Sequence, residues 1–239
     1  MISLLEPIQK DSLINIFIQK FENLILSGQI QIGKKLPSER ELAKQLDVSR
    51  QVVHEGLLDL EVKGLVSLRT RSGWIVNDYR KTGSLLLLNS LFEYGEGELD
   101  RKVAESLFKA RILIETEAAA EAAENRSESE IKELESIIEK EKLLSGEDIE
   151  NIVLLDFEFH LAVASASGNI VYPLLLNSCR AVYTNLTRIF YRLTELDSKI
   201  FETHEEICRS IRNGEKDKSG KLMRKLLTDG EAALRRNLC

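Results

Sequence analysis

The stretch of sequence that decides the fold reads LPSERELA at residues 36–43 and, after a short turn, VSRQVVHEG at residues 48–56. Ser38 is followed three residues later by Glu41, a capping box that opens a helix ending near Leu46. Ser49 can cap the next helix, which runs to Lys63, and Gly64 supplies a left-handed stop. Two helices joined by a tight turn are typical of a helix-turn-helix.

The flanking sequence completes a winged version of this unit. Apolar residues recur at helical spacing over residues 12–26, which predicts a first amphipathic helix before the helix-turn-helix. Residues 65–76 are rich in β-formers and carry a polar, glycine-containing turn in their middle, which predicts a β-hairpin. Three helices followed by a hairpin indicate a winged helix-turn-helix DNA-binding domain over residues 1–78.

The rest of the chain predicts helices only. We expect residues 79–99 to form a linker with a short helix, and residues 100–239 to form an all-helical domain for effector binding and dimerisation. Its predicted helices cover residues 101–124, 127–144, 148–167, 170–195, 198–213 and 217–237, with breaks at Ser127, Ser145–Gly146, Gly168, Asp197 and Gly214. The expected fold class is therefore mainly α: an N-terminal winged helix-turn-helix with a small β-hairpin, plus a C-terminal all-α helical bundle.

Composition excludes several classes of protein. Of 239 residues, 43% are hydrophobic and 30% are charged, as in an ordinary globular protein. No apolar run is long enough to span a membrane, so we predict a cytoplasmic protein without a membrane partner. Three widely spaced cysteines give neither a disulfide framework nor a zinc finger.

The net charge of -6 is unevenly distributed along the chain. Residues 1–80 hold 11 Lys and Arg against 10 Asp and Glu, whereas residues 81–239 hold 22 against 29. The acidity therefore belongs to the C-terminal part. A balanced N-terminal domain can still bind DNA if its cations share one face, because phosphates respond to the local field.

Polar side chains cluster where the second helix of the helix-turn-helix begins. Arginine pairs with guanine and glutamine with adenine in the major groove, and the backbone N–H groups of a helix start attract phosphate. Arg40 lies on the preceding helix, and cations flank the wing. The predicted DNA contacts are Arg40, Ser49, Arg50, Gln51, His54, Arg69, Arg71, Ser72 and Gly73.

A possible metal site lies in the C-terminal domain. Asp156 and His160 are four residues apart on one helix face, and His204 belongs to a later helix. An Asp/His/His set suits a divalent metal such as zinc, nickel or manganese. A pair of unrelated, hydrogen-bonded histidines is the alternative interpretation.

Residues 12–76 closely resemble the GntR family signature, through residues 36–43, Val48-Ser49-Arg50, Glu55-Gly56-Leu57 and Gly64-Leu65-Val66. The resemblance implies DNA contacts at the positions of Arg40, Ser49, Arg50, Gln51, His54 and the wing tip at Arg71 to Gly73. The sequence departs at His54, where arginine is usual, at Val52, and at Gly56, where alanine is usual.

Residues 85–237 resemble the FCD domain of the FadR branch of that family, through Arg111, Ile114-Glu115, Asp156–His160, Ser167-Gly168-Asn169 and His204. The resemblance implies a metal held by an aspartate and three histidines, with a carboxylate effector completing its shell. Asp156, His160 and His204 match three ligand positions, but the fourth falls near Leu226, which cannot ligate. Arg111 and Tyr183 are the candidate effector contacts.

We therefore predict a homodimeric transcriptional regulator whose affinity for double-stranded operator DNA is controlled by a small metabolite, a carboxylate or sugar acid. A fatty acyl-CoA effector is the alternative within the same class. A metal-dependent hydrolase is a distant alternative, since neither a nucleophile elbow nor a phosphate loop accompanies the histidines. A structural helical adaptor would leave the recognition helix without a purpose. The sequence does not distinguish a repressor from an activator.

Overall fold

The computed structural model describes residues 13–94, 101–144, 148–193 and 199–237. The chain divides into two compact units, residues 1–98 and 99–239. The predicted breaks at Ser145–Gly146 and Asp197 lie outside the described residues, as does the end of the expected linker. The elements are α1 (Leu13–Leu26), α2 (Glu39–Leu46), α3 (Arg50–Val62), β1 (Val66–Arg69), β2 (Gly73–Val76), α4 (Tyr79–Thr82), α5 (Leu87–Tyr94), α6 (Arg101–Asn125), α7 (Glu128–Glu141), α8 (Ile149–Ala166), α9 (Val171–Ser178), α10 (Arg180–Leu193), α11 (Lys199–Arg212) and α12 (Lys216–Asn237).

Local side-chain chemistry sets the boundaries of α2 and α3. The Ser38 side chain accepts a hydrogen bond from the Glu41 backbone N–H, and the Glu41 carboxylate accepts one from the Ser38 backbone N–H at 2.8 Å. This is the capping box that the sequence predicts. Ser49 accepts from the Val52 N–H at 3.2 Å and begins α3, and Gly64 ends it with φ at 83°.

The wing is the antiparallel pair of β1 and β2, with Val66 opposite Val76 and Arg69 opposite Gly73. The segment before α2 extends this pair: the Leu36 N–H donates to the Trp74 carbonyl oxygen at 2.9 Å. Trp74 and Val76 face inward and are buried with the apolar residues of α1 and α3. The hairpin is therefore anchored in the core of the first unit, and its turn is exposed.

The segment expected to be a linker contributes to the first unit. Leu87 of α5 is buried in the same core as α1. The Ser90 hydroxyl donates to Glu22 of α1 at 2.6 Å, and Glu22 also pairs with Lys63 at 2.7 Å. Its described part is thus docked on the helix-turn-helix rather than free.

The second unit is a bundle in which α6 packs along α12, and α7, α8 and α11 complete a shared apolar core. Its helices follow the sequence prediction except between residues 170 and 195. That span was expected as one helix, but it forms α9 and α10 with a break at Cys179, whose φ is -101° and ψ is 6°. No glycine or proline marks this break, so local sequence could not reveal it.

We expect Gly56→Ala to destabilise the first unit, although alanine is the better helix former by about 1 kcal/mol. A Cβ at Gly56 would overlap the ring of Phe17, which is buried and stacks on Phe21 at 4.4 Å between ring centroids. Overpacking of this kind costs roughly 1–3 kcal/mol. The unfolding temperature of the first unit should fall.

The matched control is Gly230→Ala in α12, where an added Cβ meets no atom within 4 Å. That change should raise stability by up to about 1 kcal/mol, because only helix propensity changes. A stabilised Gly56→Ala variant would contradict the packing argument.

Candidate nucleic-acid interface and metal centre

The first turn of α3 presents its polar side chains to solvent. Arg50, Gln51 and His54 are exposed, whereas Val53 and Leu57 on the opposite side of the helix are fully buried. The buried side fixes the rotation of α3, so its polar side can enter a groove of DNA. Arg50 is 75% exposed at its side chain, which leaves the guanidinium accessible.

Glu39 joins three parts of this surface. Its carboxylate accepts hydrogen bonds from Arg50 Nε at 3.3 Å and Trp74 Nε1 at 3.4 Å, and it contacts His54 Nδ1 at 2.9 Å. The hydrogen bond with His54 lowers the pKa of Glu39 despite partial burial. A carboxyl group whose pKa is lowered by folding stabilises the folded protein at any pH above its ordinary pKa. That stabilisation is lost only as the pH falls through the lowered pKa. The link between α2, α3 and the wing therefore persists at neutral pH.

The wing tip carries the remaining predicted contacts. Arg69, Arg71 and Ser72 are exposed, and Gly73 is half-buried. Arg71 and Gly73 both adopt the left-handed conformation, with φ at 67° and 80°. That turn projects Arg71 away from the core, and Arg40 is exposed on α2. All nine predicted contact residues thus lie in the first unit, and eight of them are exposed.

The second unit brings together the three predicted metal ligands. Asp156 and His160 lie on α8 and His204 on α11, all buried, and their ligating atoms lie within 4.8 Å of one another. The His204 ring stacks on Phe159 with 3.9 Å between centroids, which fixes its plane. His204 Nε2 is buried and has no hydrogen-bond partner among the described residues.

Each histidine contacts a glutamate that is not among the predicted site residues. His204 Nδ1 bonds to Glu141 of α7 at 2.8 Å, and His160 Nδ1 contacts Glu115 of α6. A carboxylate on Nδ1 fixes the tautomer and leaves Nε2 as the ligating atom, an arrangement common around protein metals. Glu115 lies one helical turn after Arg111, so the sequence spacing could have indicated their ion pair. Glu141 is one of several glutamates on α7, and no sequence pattern distinguishes it from the others.

Arg111 and Tyr183 belong to the same buried network. Arg111 Nε donates to Glu115 at 2.7 Å, Arg111 Nη2 donates to the Tyr183 hydroxyl at 2.7 Å, and that hydroxyl donates to Asp156 at 3.1 Å. Burial raises the pKa of Glu115, but the positive charge of Arg111 and the contact with His160 outweigh burial and lower it to about 2. Burial also raises the pKa of Tyr183, which keeps its proton.

The charges of this cluster fit a divalent cation. Asp156, Glu115 and Glu141 supply three carboxylates, whereas Arg111 supplies one guanidinium. Buried charge without a partner is costly, so the cluster needs two more positive charges. Either two protonated histidines or one divalent cation with neutral histidines provides them. The unpartnered Nε2 of His204 fits the second arrangement.

A cavity of about 410 Å³ opens beside this cluster. Its lining includes three members of the cluster, Arg111, Asp156 and His160. The other lining residues are Phe108, Leu186, Thr187, Phe190, Tyr191, Lys199, Ile200, Thr203, Lys225, Leu226, Leu227, Asp229, Gly230, Ala233 and Arg236. Tyr183, predicted as an effector contact, is not among them. The Tyr183 ring packs against Phe157 and its hydroxyl donates to Asp156. Tyr183 therefore positions a residue of the cavity wall without lining the cavity itself. Leu226, at the expected fourth ligand position, does line the cavity.

Comparison with known proteins identifies both units. Residues 17–76 match the bacterial regulatory proteins of the gntR family, and residues 106–229, more than half of the chain, match the FCD domain. The chain belongs to the GntR family. It is 36% identical to the regulator Mce2R of Mycobacterium tuberculosis over 183 residues, which covers 75% of this chain and 73% of that protein.

Other known proteins are also similar to this chain. LutR of Bacillus subtilis is 27% identical over 219 residues, covering 88% of this chain and 96% of LutR. The solved structure of the Listeria monocytogenes regulator Lar superposes with a TM-score of 0.63 at 17% identity, covering 95% and 99% of the two chains, so the fold is shared. These relatives are transcriptional regulators, a class without enzymatic activity. No described helix has both the length and the apolar content to cross a membrane.

We expect Glu39→Gln to reduce discrimination between operator and random DNA. Arg50 and His54 lose a charged partner that fixes their position, while the interface loses one negative charge. A well-placed arginine is worth about 1–3 kcal/mol of discrimination, so the ratio of the two affinities should fall roughly tenfold. Fluorescence anisotropy with both duplexes measures this ratio.

Glu41→Gln on the same helix is the matched control. It removes the same charge, but glutamine retains the capping box and Glu41 binds Ser38 instead of the recognition side chains. The ratio of operator affinity to random-DNA affinity in Glu41→Gln should stay within about twofold of the ratio in the parent protein. An unchanged ratio in Glu39→Gln would show that Glu39 does not position the contacts.

We expect Glu141→Gln to weaken binding of zinc, nickel or manganese about 10- to 100-fold, because His204 loses the carboxylate that orients it. Equilibrium dialysis with metal analysis measures the affinity directly. Glu139→Gln on the same helix is the control, since Glu139 is exposed and pairs with Lys142. Equal affinities in the two variants would exclude this role for Glu141.

Proposed function

We propose that this GntR-family regulator binds a palindromic operator as a homodimer, and that a small metabolite in the cavity of the second unit controls its affinity for that operator. The observation that carries the proposal is the exposed start of α3, with Arg50, Gln51 and His54 held beside the wing. The proposed DNA contacts are the nine residues predicted from the sequence: Arg40, Ser49, Arg50, Gln51, His54, Arg69, Arg71, Ser72 and Gly73.

The chemistry of α3 supports insertion into the major groove. Ser49 occupies the N-cap, so the first backbone N–H groups of the helix can face phosphate while Arg50 and Gln51 reach base edges. Gln51 Nε2 donates to Glu55 at 2.9 Å, which orients the amide along the helix. Arg71 at the wing tip is free of the core and suits a backbone or minor-groove contact.

Exposed apolar side chains on the second unit support dimerisation. Leu113 of α6 is 70% exposed, and Ile170 and Leu174 at and within α9 are 79% and 62% exposed. Helices α6 and α9 are in contact, and exposed apolar surface is typical of protein interfaces. A two-fold dimer would place its recognition helices on half-sites about 34–36 Å apart.

The buried cluster beside the cavity supports a metal centre. We assign Asp156, His160 and His204 as ligands, with Glu141 and Glu115 holding the two histidines. The bound cation would act as a Lewis acid that attracts an anionic group of the effector. Leu226 leaves the site with three protein ligands, so a coordination position remains for that group.

Binding of the effector to one conformation of the second unit would shift the equilibrium between DNA-binding and released forms. Related regulators bear the names of single operons, such as the Uxu and Glc operons of Escherichia coli, and one of these two is named an activator. We therefore place the operator of this chain near its own gene and leave the sign of regulation open.

A mobility-shift assay with DNA from the promoter region of the gene itself tests the proposal. Affinity should depend on a palindrome and fall steeply between about 50 and about 200 mM salt. Arg50→Glu should weaken operator binding by at least about tenfold, because one base contact and one cation are lost.

Arg80→Glu is the control, since Arg80 pairs with Asp78 and lies on α4, outside α2, α3 and the wing. It should change operator affinity by less than about twofold, as one distant surface charge does. Unchanged binding by Arg50→Glu would refute the assignment of α3.

A further inference from the structure

We infer that His54, in its neutral form, reads a base that offers an amino group in the major groove, adenine or cytosine, and that Glu39 imposes this preference. The inference rests on the proposed function, because it takes α3 as the recognition helix and adds the chemistry of one base contact. It follows from the donors that surround the Glu39 carboxylate.

Both oxygens of Glu39 accept hydrogen bonds from groups that can only donate. Arg50 Nε donates to Oε2 at 3.3 Å, and Trp74 Nε1 donates to Oε1 at 3.4 Å. The contact with His54 and these two bonds lower the pKa of Glu39 despite partial burial. The carboxyl group is therefore ionised at neutral pH and can only accept.

This carboxylate decides which nitrogen of His54 carries the hydrogen. His54 Nδ1 lies 2.9 Å from Oε1 of Glu39. Since an ionised carboxylate has no hydrogen to donate, the hydrogen of that bond belongs to Nδ1. In a neutral imidazole only one nitrogen carries a hydrogen, so Nε2 is left as an acceptor.

The acceptor nitrogen is available for recognition. Nε2 of His54 has no hydrogen-bond partner among the described residues, and the side chain is 51% exposed. His54 lies one helical turn after Arg50 in α3, whereas Val53 is fully buried and holds the helix against the core. His54 is thus part of the surface that the proposed function places in the groove.

The major-groove edges of the bases discriminate between a donor and an acceptor. Adenine and cytosine present an amino group there, at N6 and N4, whereas thymine and guanine present the carbonyl oxygens O4 and O6. An acceptor at His54 Nε2 pairs with an amino group but meets a second acceptor on thymine or guanine. The neutral ring therefore prefers adenine or cytosine.

Arg50 acquires the opposite preference from the same carboxylate. Glu39 accepts from Nε of Arg50, which leaves the two terminal nitrogens of the guanidinium as donors for O6 and N7 of guanine. One glutamate thus sets a donor at Arg50 beside an acceptor at His54. This pairing requires two different kinds of base edge within one half-site.

Selection from a pool of duplexes with a randomised centre tests the inference. The full-length protein is used at about pH 8.5, where an exposed histidine is neutral. The position that His54 reads is the one whose base preference disappears in His54→Ala. The parent should favour adenine or cytosine there by about tenfold, as is typical of one mismatched base pair, and the selected base decides between the two.

Base analogues test the amino group itself. In a selected adenine duplex, 2-aminopurine moves the amino group to the minor groove and still pairs with thymine. In a selected cytosine duplex, 2-pyrimidinone removes it. Fluorescence anisotropy should show that either replacement weakens binding by the parent about tenfold, but binding by His54→Ala less than about twofold.

Two further variants test the acceptor role and its origin. His54→Arg places only donors at this position, so its preference should move to guanine or thymine on the same strand and should not depend on the amino group. Glu39→Gln introduces an amide that can donate to Nδ1, so the preference at the His54 position should fall to within about twofold. Glu41→Gln is the control and should keep the tenfold preference, because Glu41 binds Ser38.

The outcomes separate the inference from the proposed function. An analogue that the parent binds as tightly as the natural base, or the same base preference in the parent and in His54→Arg, would overturn the inference and leave α3 as the recognition helix. A selected sequence that His54→Ala binds with every preference unchanged would do the same. Failure of the parent to enrich any duplex would overturn the proposed function and the inference with it.

Discussion

The packing of the second unit depends on the neutralisation of buried charge. Three carboxylates, one guanidinium and two histidines meet among the buried helices of the second unit, and Glu141 and His204 are both fully buried. Removing one charged member would leave an uncompensated charge away from water, which is among the most costly defects in a protein interior. Helices α6, α7, α8 and α11 each contribute a member. The charge requirement therefore links these four helices around one cluster.

A smaller ionic group has the same organising role in the first unit. Glu39 holds Arg50, His54 and Trp74, and Glu22 holds Lys63 and Ser90. The first group joins the recognition helix to the wing, and the second joins α1, α3 and α5. In both groups, one glutamate accepts hydrogen bonds from donors on separate elements. The apolar core determines where the helices lie, and the glutamate determines how their polar side chains are aligned. A carboxylate on a surface that faces DNA repels the phosphates. Its presence beside Arg50 and His54 is explained if the positioning of these side chains contributes more to recognition than the loss of attraction costs.

Much of this architecture was predictable because its signals are local. The capping box at Ser38, the N-cap at Ser49, the stop at Gly64 and the alternation of the hairpin all act within a few residues, and each appears where the sequence indicates. The break at Cys179 was missed because neither glycine nor proline marks it. The docking of α5 was missed because it depends on a contact between Ser90 and Glu22, which are 68 positions apart. The histidines were found by their rarity, whereas Glu141 is indistinguishable by sequence from other glutamates on α7.

The departures from the family pattern acquire physical meaning in the structure. Gly56, where alanine is usual, makes room for the ring of Phe17 in the core, so the helix gives up propensity in exchange for packing. His54, where arginine is usual, shares Glu39 with Arg50, so one carboxylate restrains two recognition side chains. Leu226, where a fourth ligand is expected, is an apolar residue in the wall of the same cavity as Asp156 and His160. That position therefore contributes hydrocarbon surface to the wall instead of a side chain that could hold a metal.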